Sequence, residues 1–531
     1  MVWKFLVTLA CATGFAQPLF FFNGKIVSSY SNGANVSSEL LVENGKVVRL
    51  GNKLSLPKDV LKKDLRGKWV FPALTDAHAH LLSTGREKKQ LNLRGLSLPA
   101  IQQSILNALS KKPEMIVGFG WDQNLWPGKS FPQIDFLDSL TQTVPVVLFR
   151  IDGHAAWANT LALKRAGLMD LQNPKGIPKG VVVDVGLEKL ESIIPPSTDL
   201  ELREEIKSVV NYGLSRGFTS LHDAGISSRE FAVLKDTILR DQIPFRFYEM
   251  ASASDRKLLE SVLKAGPQVN LLDSRLHLRA VKIYLDGALG SRGALFEAPY
   301  EDQPHQKGIQ IRTEKELEEL IRLSDQSGFQ VAVHAIGTKA NEIAVSVFEK
   351  VWGVNTASKR PRIEHAQVLS ESLIRKMGQL GIVASMQPVH CSSDSPWVIE
   401  RIGKKRARFS YPWRSLLQAK VPLAFGTDSP IEDFTPWPGL FAAVTRLPLN
   451  SIDHEAFFPE ERISTHEALR AFSEGAAFSA FQEDFLGTLA PGKWADFLVV
   501  GRNLLELKPG EILKFEVEST YFSGREVYRK K

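Results

Sequence analysis

Cysteine is scarce in this chain, which has only two cysteines, Cys11 and Cys391, among 531 residues. Because Cys11 lies in an N-terminal segment with the features of a removable signal, we do not expect a structural disulfide. Two cysteines are also too few for a zinc cluster held by several thiolates. A metal site in this chain would therefore use nitrogen and oxygen ligands.

Long apolar stretches and dense basic patches are also missing. No internal stretch reaches the ~20 apolar residues that a membrane-spanning helix needs, so no integral membrane span is predicted. The net charge of +7 is small for this length. The short basic segment GKKRARFS around Lys404 is typical of a solvated surface, so nucleic acid is not the expected partner. We expect a small-molecule substrate, and a homodimer stays open.

The N-terminus, MVWKFLVTLACATGFAQP, has two interpretations. Lys4 precedes an apolar stretch over Phe5–Ala10, and small residues lead to Ala16. This order is typical of a secretory signal, and it predicts that residues 1–16 are removed and that the protein is exported to the periplasm or secreted. The alternative is a first β-strand of a cytoplasmic protein, because the following PLFFFNGKIVS also has strand character.

The middle of the chain predicts an α/β fold, a (β/α)8 TIM barrel. Short apolar runs alternate with helix-like stretches such as Glu314–Ser327 and Ser370–Leu380, and this alternation is typical of a parallel sheet. The eight predicted barrel strands are Trp69–Ala77, Phe218–Asp223, Phe245–Met250, Leu278–Leu285, Gln330–His334, Arg362–His365, Gly381–Met386 and Pro422–Gly426.

The chain is too long for a bare barrel of about 250 residues, and three further parts are predicted. Residues 17–68 and 481–531 are rich in strand patterns and turn residues, so we expect one small β-domain built from both ends of the chain. The barrel is expected over 69–480. A subdomain inserted after its first strand, at about 84–210, would carry the apolar run Val144–Arg150.

Six polar side chains stand where five of these apolar runs end, two of them at the first run. They are four histidines, one lysine and one aspartate: His78, His80, Lys282, His334, His365 and Asp428. The catalytic groups of a (β/α)8 barrel gather at the carboxyl ends of its strands. The set can therefore bind two cations through imidazole and carboxylate groups, if the lysine is carbamylated.

Each member of the set also has an ordinary structural explanation. His78 and His80 are two apart on a strand and point to the same side, so both can reach one metal, but core histidines are common. An ammonium group has no acceptor and cannot bind a cation. Lys282 would serve as a ligand only as a carbamate, and its alternative is an ion pair with Asp286. The presence of all six residues at strand ends favours metal binding over six unrelated structural roles.

The motifs around these residues give the chain its resemblance to a known family. FPALTDAHAHL, GFTSLHDAG, VKIYLDGALGSRGALF, VAVHAIG, RIEHAQ, ASMQPVH, AFGTDSP and GTLAPGKWADFLVV resemble the metal-dependent amidohydrolase superfamily. They are most similar to its amidohydrolase-3 branch, which includes N-substituted formamide deformylases. The resemblance runs from about Phe21 to near the C-terminus. Thr338-Lys339 depart from the family pattern, which tends to show Asp-Arg there.

The resemblance implies a ligand set and a mechanism. His78, His80 and Asp428 would hold one ion, His334 and His365 the other, and a carbamate on Lys282, derived from carbon dioxide, would bridge them. Two divalent ions, with zinc expected, would generate a hydroxide that attacks an amide-type carbonyl, while Asp428 is the catalytic residue that moves the proton.

Substrate contacts are sought among residues close to this set. The candidates are His154, Arg292, Gln387 and His390. His222 and Asp223, at the end of the second predicted strand, are interpreted as support for the ligands.

Two other functions stay open from the sequence alone. The same chemistry could open an ester or a lactone. A non-catalytic binding protein could also keep this fold, although the ligand set is intact. A mononuclear deaminase is disfavoured by Lys282.

Overall fold

The computed structural model describes residues 17–31, 36–87, 89–171, 173, 177–183, 186–449 and 455–531. The predicted signal, residues 1–16, lies outside the described residues. At the centre is a parallel barrel, so the predicted fold class is confirmed. The eight barrel strands are Leu74–Ala79, Phe218–Ile226, Arg246–Ser252, Leu276–Tyr284, Gln330–Ala335, Arg362–His365, Val383–Met386 and Leu423–Phe425. Each strand pairs in parallel with the next one along the chain.

The first and last strands meet at a seam that closes the barrel at its carboxyl edge. Asp76 accepts hydrogen bonds from the backbone nitrogen of Thr427 (3.0 Å) and from its hydroxyl (2.6 Å). The backbone nitrogen of Asp428 donates to the carbonyl of His78 at 2.7 Å. These bonds replace a regular strand ladder and bring two of the predicted metal ligands together.

Gly426 lies in the same seam, where the two chain segments come unusually close. A Cβ atom at this position would lie 2.4 Å from the backbone nitrogen of His78 and 2.8 Å from its carbonyl oxygen. Both neighbours are backbone atoms and cannot rotate away. Only glycine fits without moving the first strand.

The prediction of one continuous first strand over Trp69–Ala77 was wrong. Trp69–Pro72 pairs with Phe497–Val500 and Lys25–Val27 in a different sheet, and the barrel strand begins at Leu74. The uninterrupted apolar pattern hid this change of sheet, because both segments are buried on two faces.

Helices cover the outside of the barrel, and several begin at a capping residue that the sequence shows. In Glu314–Gln326 the Thr313 side chain accepts a hydrogen bond from the backbone of Glu316, whose carboxylate binds back to Thr313, which is a capping box. The helices around the barrel are Leu81–Glu87, Asp199–Arg216, Ser228–Asp241, Arg256–Ala265, Glu314–Gln326, Thr338–Trp352, Thr356–Lys359, Glu371–Leu380, Pro388–Asp394, Val398–Ala407, Trp413–Gln418, Pro436–Thr445, Thr465–Arg470 and Ala476–Ser479, with a π-helical turn at Ala471–Gly475.

The segment after the first barrel strand forms a five-stranded sheet of its own. Its strands, in spatial order, are Val181–Val183, Ala155–Ala158, Val146–Arg150, Ile116–Trp121 and Leu91–Asn92. Its helices are Leu98–Leu109, Ile134–Leu140, Thr160–Arg165 and Leu187–Ser192. The first two-thirds of the helix Asp199–Arg216 fall in the predicted insertion. This helix contacts Leu81–Glu87 and Phe218–Ile226 of the barrel, so the inserted sheet ends before it.

Strands from both ends of the chain share one sheet, as the sequence predicted. Its six strands are Arg525–Arg529, Ser519–Phe522, Phe497–Val500, Trp69–Pro72, Lys25–Val27 and Val36–Ser37. A second sheet comes from the N-terminal part alone and contains Lys46–Gly51, Glu39–Glu43, Leu19–Phe22 and Leu61–Asp64. The aromatic side chains of Phe21, Phe497 and Tyr521 pack together between the two sheets.

Within the part of the chain that the structure describes, no helix combines the length and the apolar character needed to cross a membrane.

We predict that Gly426→Ala lowers the free energy of unfolding by about 2 kcal/mol, because overpacking a well-packed interior typically costs about 1–3 kcal/mol. Urea unfolding monitored by circular dichroism measures this loss. Gly510→Ala is the control, because a Cβ atom there meets nothing within 4 Å. Equal free energies of unfolding for the two variants would show that the seam accommodates the added Cβ atom without loss of stability.

Candidate metal centre

The structure brings the six predicted residues to one place, at the carboxyl edge of the barrel. His78 lies near the end of the first strand and His80 directly follows it. Lys282, His334 and His365 lie near the ends of the fourth, fifth and sixth strands. Asp428 follows the eighth strand by three residues. All of them are buried except His80, whose side chain is 26% exposed.

Three of these residues offer ligand atoms to a single point. One atom each from His78, His365 and Asp428 lie within 4.8 Å of one another. The Oδ1 atom of Asp428 is 3.3 Å from Nε2 of His78 and 3.3 Å from Nε2 of His80. The ring of His334 lies 4.5 Å from the ring of His365, centroid to centroid. The fifth-strand histidine thus extends the cluster to a second position.

Several buried polar atoms in this cluster have no hydrogen-bond partner. They are Nε2 of His78, Nε2 of His334 and the Nζ amine of Lys282. Leaving a buried polar group unsatisfied costs about 1–3 kcal/mol. The carboxylate of Asp428 is close to Nε2 of His78 but is not aligned for a hydrogen bond, as expected of two ligands that share a cation. The donor set therefore fits divalent metal ions.

A buried ion pair fixes the orientation of His78. Its Nδ1 atom lies 2.5 Å from Oε2 of Glu364, so Nε2 faces the cluster. Arg362 in turn binds Glu364 through Nε at 2.7 Å and Nη2 at 3.1 Å. Burial alone would raise the pKa of Glu364, but Arg362 and His78 hold it well below its usual range. A carboxylate behind a ligand histidine is a common way to fix its tautomer.

Gln387 supports His365 in a similar way. Its Oε1 atom lies 2.8 Å from Nδ1 of His365, and its amide nitrogen donates to the carbonyl of Ser385 at 3.2 Å. The sequence placed Gln387 near the substrate. In the structure its side chain is engaged with a ligand residue, and a contact with substrate stays a prediction.

His390 lies between two carboxylates. Its Nε2 atom is 3.3 Å from Oδ2 of Asp428, and its Nδ1 atom is 3.5 Å from Oε1 of Glu432. Burial lowers the pKa of His390, but hydrogen bonds to Asp428 and Glu432 outweigh burial and raise it to about 10. This predicted substrate contact is therefore a direct neighbour of the predicted proton carrier.

The two remaining candidates for substrate contact differ in position. The ring of His154, in the inserted subdomain, lies 5.9 Å from the ring of His334, so the insertion reaches the cluster. Arg292 instead makes a bidentate ion pair with Asp302, at 3.1 Å and 2.7 Å. Its guanidinium group is engaged at this loop, and a role in binding substrate stays a prediction.

The backbone is strained at two of the cluster residues. His365 has a φ of 75° and Asp428 a φ of 60°, in the left-handed region that L-residues rarely adopt. Such conformations cost about 1–3 kcal/mol each and concentrate at functional sites. The strain is consistent with two side chains aimed at a common point.

Sequence reasoning missed the residues that hold the ligands. Glu364 and Arg362 were seen only as part of a strand, although charged residues inside a buried strand require partners and could have signalled this role. Asp286 accepts hydrogen bonds from the backbone of Ile336 and Gly337, just after His334. Thr338, at the departure from the family pattern, binds Glu297 instead.

The predicted support residues of the second strand have distinct surroundings. Nδ1 of His222 lies 3.0 Å from Arg362, so His222 contacts the ion pair behind His78. Asp223 lies opposite Glu249 on the third strand, and both carboxyl groups are buried. Among the described residues no cation lies within ion-pair distance of either. Burial, and then the mutual proximity of the two groups, raise the pKa of Glu249 well above its usual range.

Comparison with known proteins gives long matches. A family model described as "Amidohydrolase family" matches residues 63–528. Protein LONG AFTER FAR-RED 3 of Arabidopsis thaliana is 33% identical over 565 residues, which cover 99% of this chain and 94% of the relative. The putative amidohydrolase YtcJ of Bacillus subtilis is 30% identical, covering 93% of this chain and 95% of the relative.

A more distant relative and a solved structure agree with these matches. The N-substituted formamide deformylase of Arthrobacter pascens is 22% identical, covering 91% of this chain and 94% of that enzyme. An uncharacterised metal-dependent hydrolase from Pyrococcus horikoshii superposes with a TM-score of 0.77 at 27% identity, over 93% of this chain and 99% of that one.

The buried pair of Asp223 and Glu249 predicts a stability that falls as pH rises. Burial raises the pKa of Asp223 to about 6, above its value in the unfolded chain. Folding therefore favours the protonated form, and this contribution is complete at low pH and lost as pH rises through about 6. Glu249→Gln keeps the shape without the second charge, so its urea midpoint should fall less than that of the unchanged protein between pH 5 and pH 7.5.

The control for this test is Glu260→Gln, because Glu260 is 67% exposed. It should follow the unchanged protein. Parallel pH profiles for Glu249→Gln and the unchanged protein would contradict the pairing.

Proposed function

This chain belongs to the amidohydrolase family, in its amidohydrolase-3 branch, as a metal-dependent hydrolase, and from this premise we propose that it cleaves a carbon–nitrogen amide-type bond. The proposal includes a binuclear centre bridged by a carbamate on Lys282. The observation that carries it is the buried amine of Lys282, which has no hydrogen-bond partner and belongs to the same cluster as the unpartnered Nε2 atoms of His78 and His334.

Lys282 is suited to carbamylation by its surroundings. Its side chain is fully buried, and burial lowers its pKa to about 8, against the opposing effects of Glu364 and Asp428. A neutral amine is the form that adds carbon dioxide, and a lowered pKa makes more of it available near neutral pH than the reference pKa of about 10.4 would. The carbamate would present two oxygens where the ammonium presents none.

The proposed reaction divides its tasks among the residues of the cluster. When bound, the divalent cations would polarise the substrate carbonyl and lower the pKa of a water molecule. Although burial raises the pKa of Asp428, its close contacts with the imidazoles of His390, His78 and His80 hold it well below its usual range. Asp428 is thus ionised, can accept a proton from the attacking water, and can return that proton to the leaving nitrogen.

The scissile bond is proposed from relatives and is open to direct test. The relative from Arthrobacter pascens is by name an N-substituted formamide deformylase. A panel of N-formyl amines, N-acyl amines, ureas, cyclic amides and lactones, tested with zinc-loaded protein, should show turnover of the amides. Turnover of lactones or esters alone would favour the ester alternative, and firm binding without turnover would favour a binding protein.

We predict about two divalent ions per chain in the active protein, measured by inductively coupled plasma mass spectrometry. His78→Ala and Asp428→Ala should each abolish turnover while the circular dichroism spectrum stays unchanged, because each removes a ligand but no core contact of the apolar interior. His305→Ala, at an exposed histidine, is the control. Full activity of metal-free protein would contradict the proposal.

We predict that reconstitution depends on bicarbonate as well as on metal, because metal ions draw carbamylation forward by binding its product. Lys282→Ala should lose one of the two ions and most of the activity. A short carboxylic acid should partly restore both by replacing the carbamate oxygens. The decisive measurement is a ¹³C NMR signal of the carbamate after loading with labelled bicarbonate. Active, metal-replete protein that lacks this signal would leave a mononuclear enzyme.

A further inference from the structure

The two oxygens of Asp428 face different partners. Oδ1 is 3.3 Å from Nε2 of His78 and 3.3 Å from Nε2 of His80, both of them predicted metal ligands. Oδ2 is 3.3 Å from Nε2 of His390, which is not a predicted ligand. One oxygen is thus directed to the metal site and the other to a separate imidazole.

The other nitrogen of His390 continues the chain of contacts toward the surface. Its Nδ1 atom lies 3.5 Å from Oε1 of Glu432, and the hydroxyl of Ser393 donates to the same oxygen at 2.6 Å. Asp428 and His390 are buried, Glu432 is half-buried and Ser393 is exposed. The four groups form a continuous row from the cluster to solvent.

Packing fixes both elements that carry this row. His390 and Ser393 belong to the helix Pro388–Asp394, which packs against Pro436–Thr445. Asp428 and Glu432 lie on the loop after the eighth strand. On that loop Ile431 packs against the apolar core of the inserted subdomain. The row is therefore held between the barrel and the insertion.

We infer that Glu432 and His390 are positioning residues for Asp428. The terminal torsion of an aspartate is broad, so a carboxylate held on one side only can rotate. Glu432 orients the imidazole of His390, and the imidazole fixes Oδ2, so that Oδ1 stays directed at the metal site and at the attacking water. A catalytic group fixed before the reaction needs no reorganisation during it. This inference rests on the proposed function and adds two residues to it.

The test compares Glu432→Ala with Glu432→Gln. Loss of an outer partner of a metal ligand typically costs about 10–100-fold in metal affinity or activity. In Glu432→Ala we expect a loss of this size in kcat and in zinc affinity, with little change in KM, because Glu432 lies on the far side of His390 from Asp428. Glu432→Gln should recover most of both, because its amide oxygen still accepts from Nδ1 of His390.

A second measurement needs no activity. Protein with ¹⁵N-labelled histidine should show a slowly exchanging, downfield Nδ1–H signal of His390 in both the metal-free and the metal-loaded form. The signal is assigned by its absence from His390→Gln. It should be lost in Glu432→Ala, retained in Glu432→Gln, and unchanged in the control Glu260→Ala, at an exposed glutamate on another helix.

The outcomes separate this inference from the proposed function. If the unchanged protein hydrolyses no substrate of the panel, the function fails, while zinc affinity and the NMR signal still decide whether Asp428 is anchored. If the protein is active and Glu432→Ala matches it in kcat, zinc affinity and the His390 signal, the anchor is overturned and the function stands. Equal losses in the alanine and glutamine variants would also overturn it.

Discussion

The contact between the first strand and the segment after the eighth is the constraint on which the site depends. A barrel closes only where its first and last strands meet, and here they meet through Asp76, Thr427 and the backbone of His78. The two predicted ligands of the first strand and the aspartate after the last strand are thereby neighbours, although about 350 residues separate them in sequence. The contacts that close the barrel are therefore also the contacts that bring the predicted ligands together.

A second requirement is that charge be tolerated inside this interior. Burying an ion is costly unless it is paired and hydrogen-bonded. Arg362 and Glu364 satisfy each other, and Glu364 satisfies His78. Nε2 of His78, Nε2 of His334 and the amine of Lys282 are among the buried polar atoms left without a hydrogen-bond partner. The charged groups behind the predicted ligands are thus paired with one another, and the imidazole nitrogen atoms that face the centre of the cluster are available to bind a cation.

The inserted subdomain gives this general centre its particular surroundings. His154 comes from the insertion and lies beside His334, and Ile431 of the barrel packs into the insertion's apolar core. The cluster of predicted metal ligands is itself built wholly from barrel residues. The residues expected to carry out the reaction therefore belong to the barrel, whereas the shape of the space around them depends on the contacts between the barrel and the insertion.

The positions of the cluster residues could be predicted because each stands where an apolar run stops. That local rule located His334 and His365 without any knowledge of their partners. It could not find Glu364 behind His78, because their contact joins positions 286 residues apart. It also joined Trp69–Pro72 to the barrel strand, because burial on two faces looks alike in either sheet. Sequence patterns thus locate the residues at the carboxyl edge of the barrel. The contacts between side chains of different strands can be identified only from the three-dimensional structure.

The sheet that combines strands from both ends of the chain cannot be completed until its C-terminal strands have been synthesised. Trp69–Pro72 leads directly into the first barrel strand, and it lies between Lys25–Val27 and Phe497–Val500. Phe497–Val500 emerges from the ribosome more than 400 residues after Trp69–Pro72, and pairings of such long sequence separation form slowly. One edge of Trp69–Pro72 therefore stays unpaired until Phe497–Val500 has been synthesised, and its backbone donors and acceptors are exposed until then.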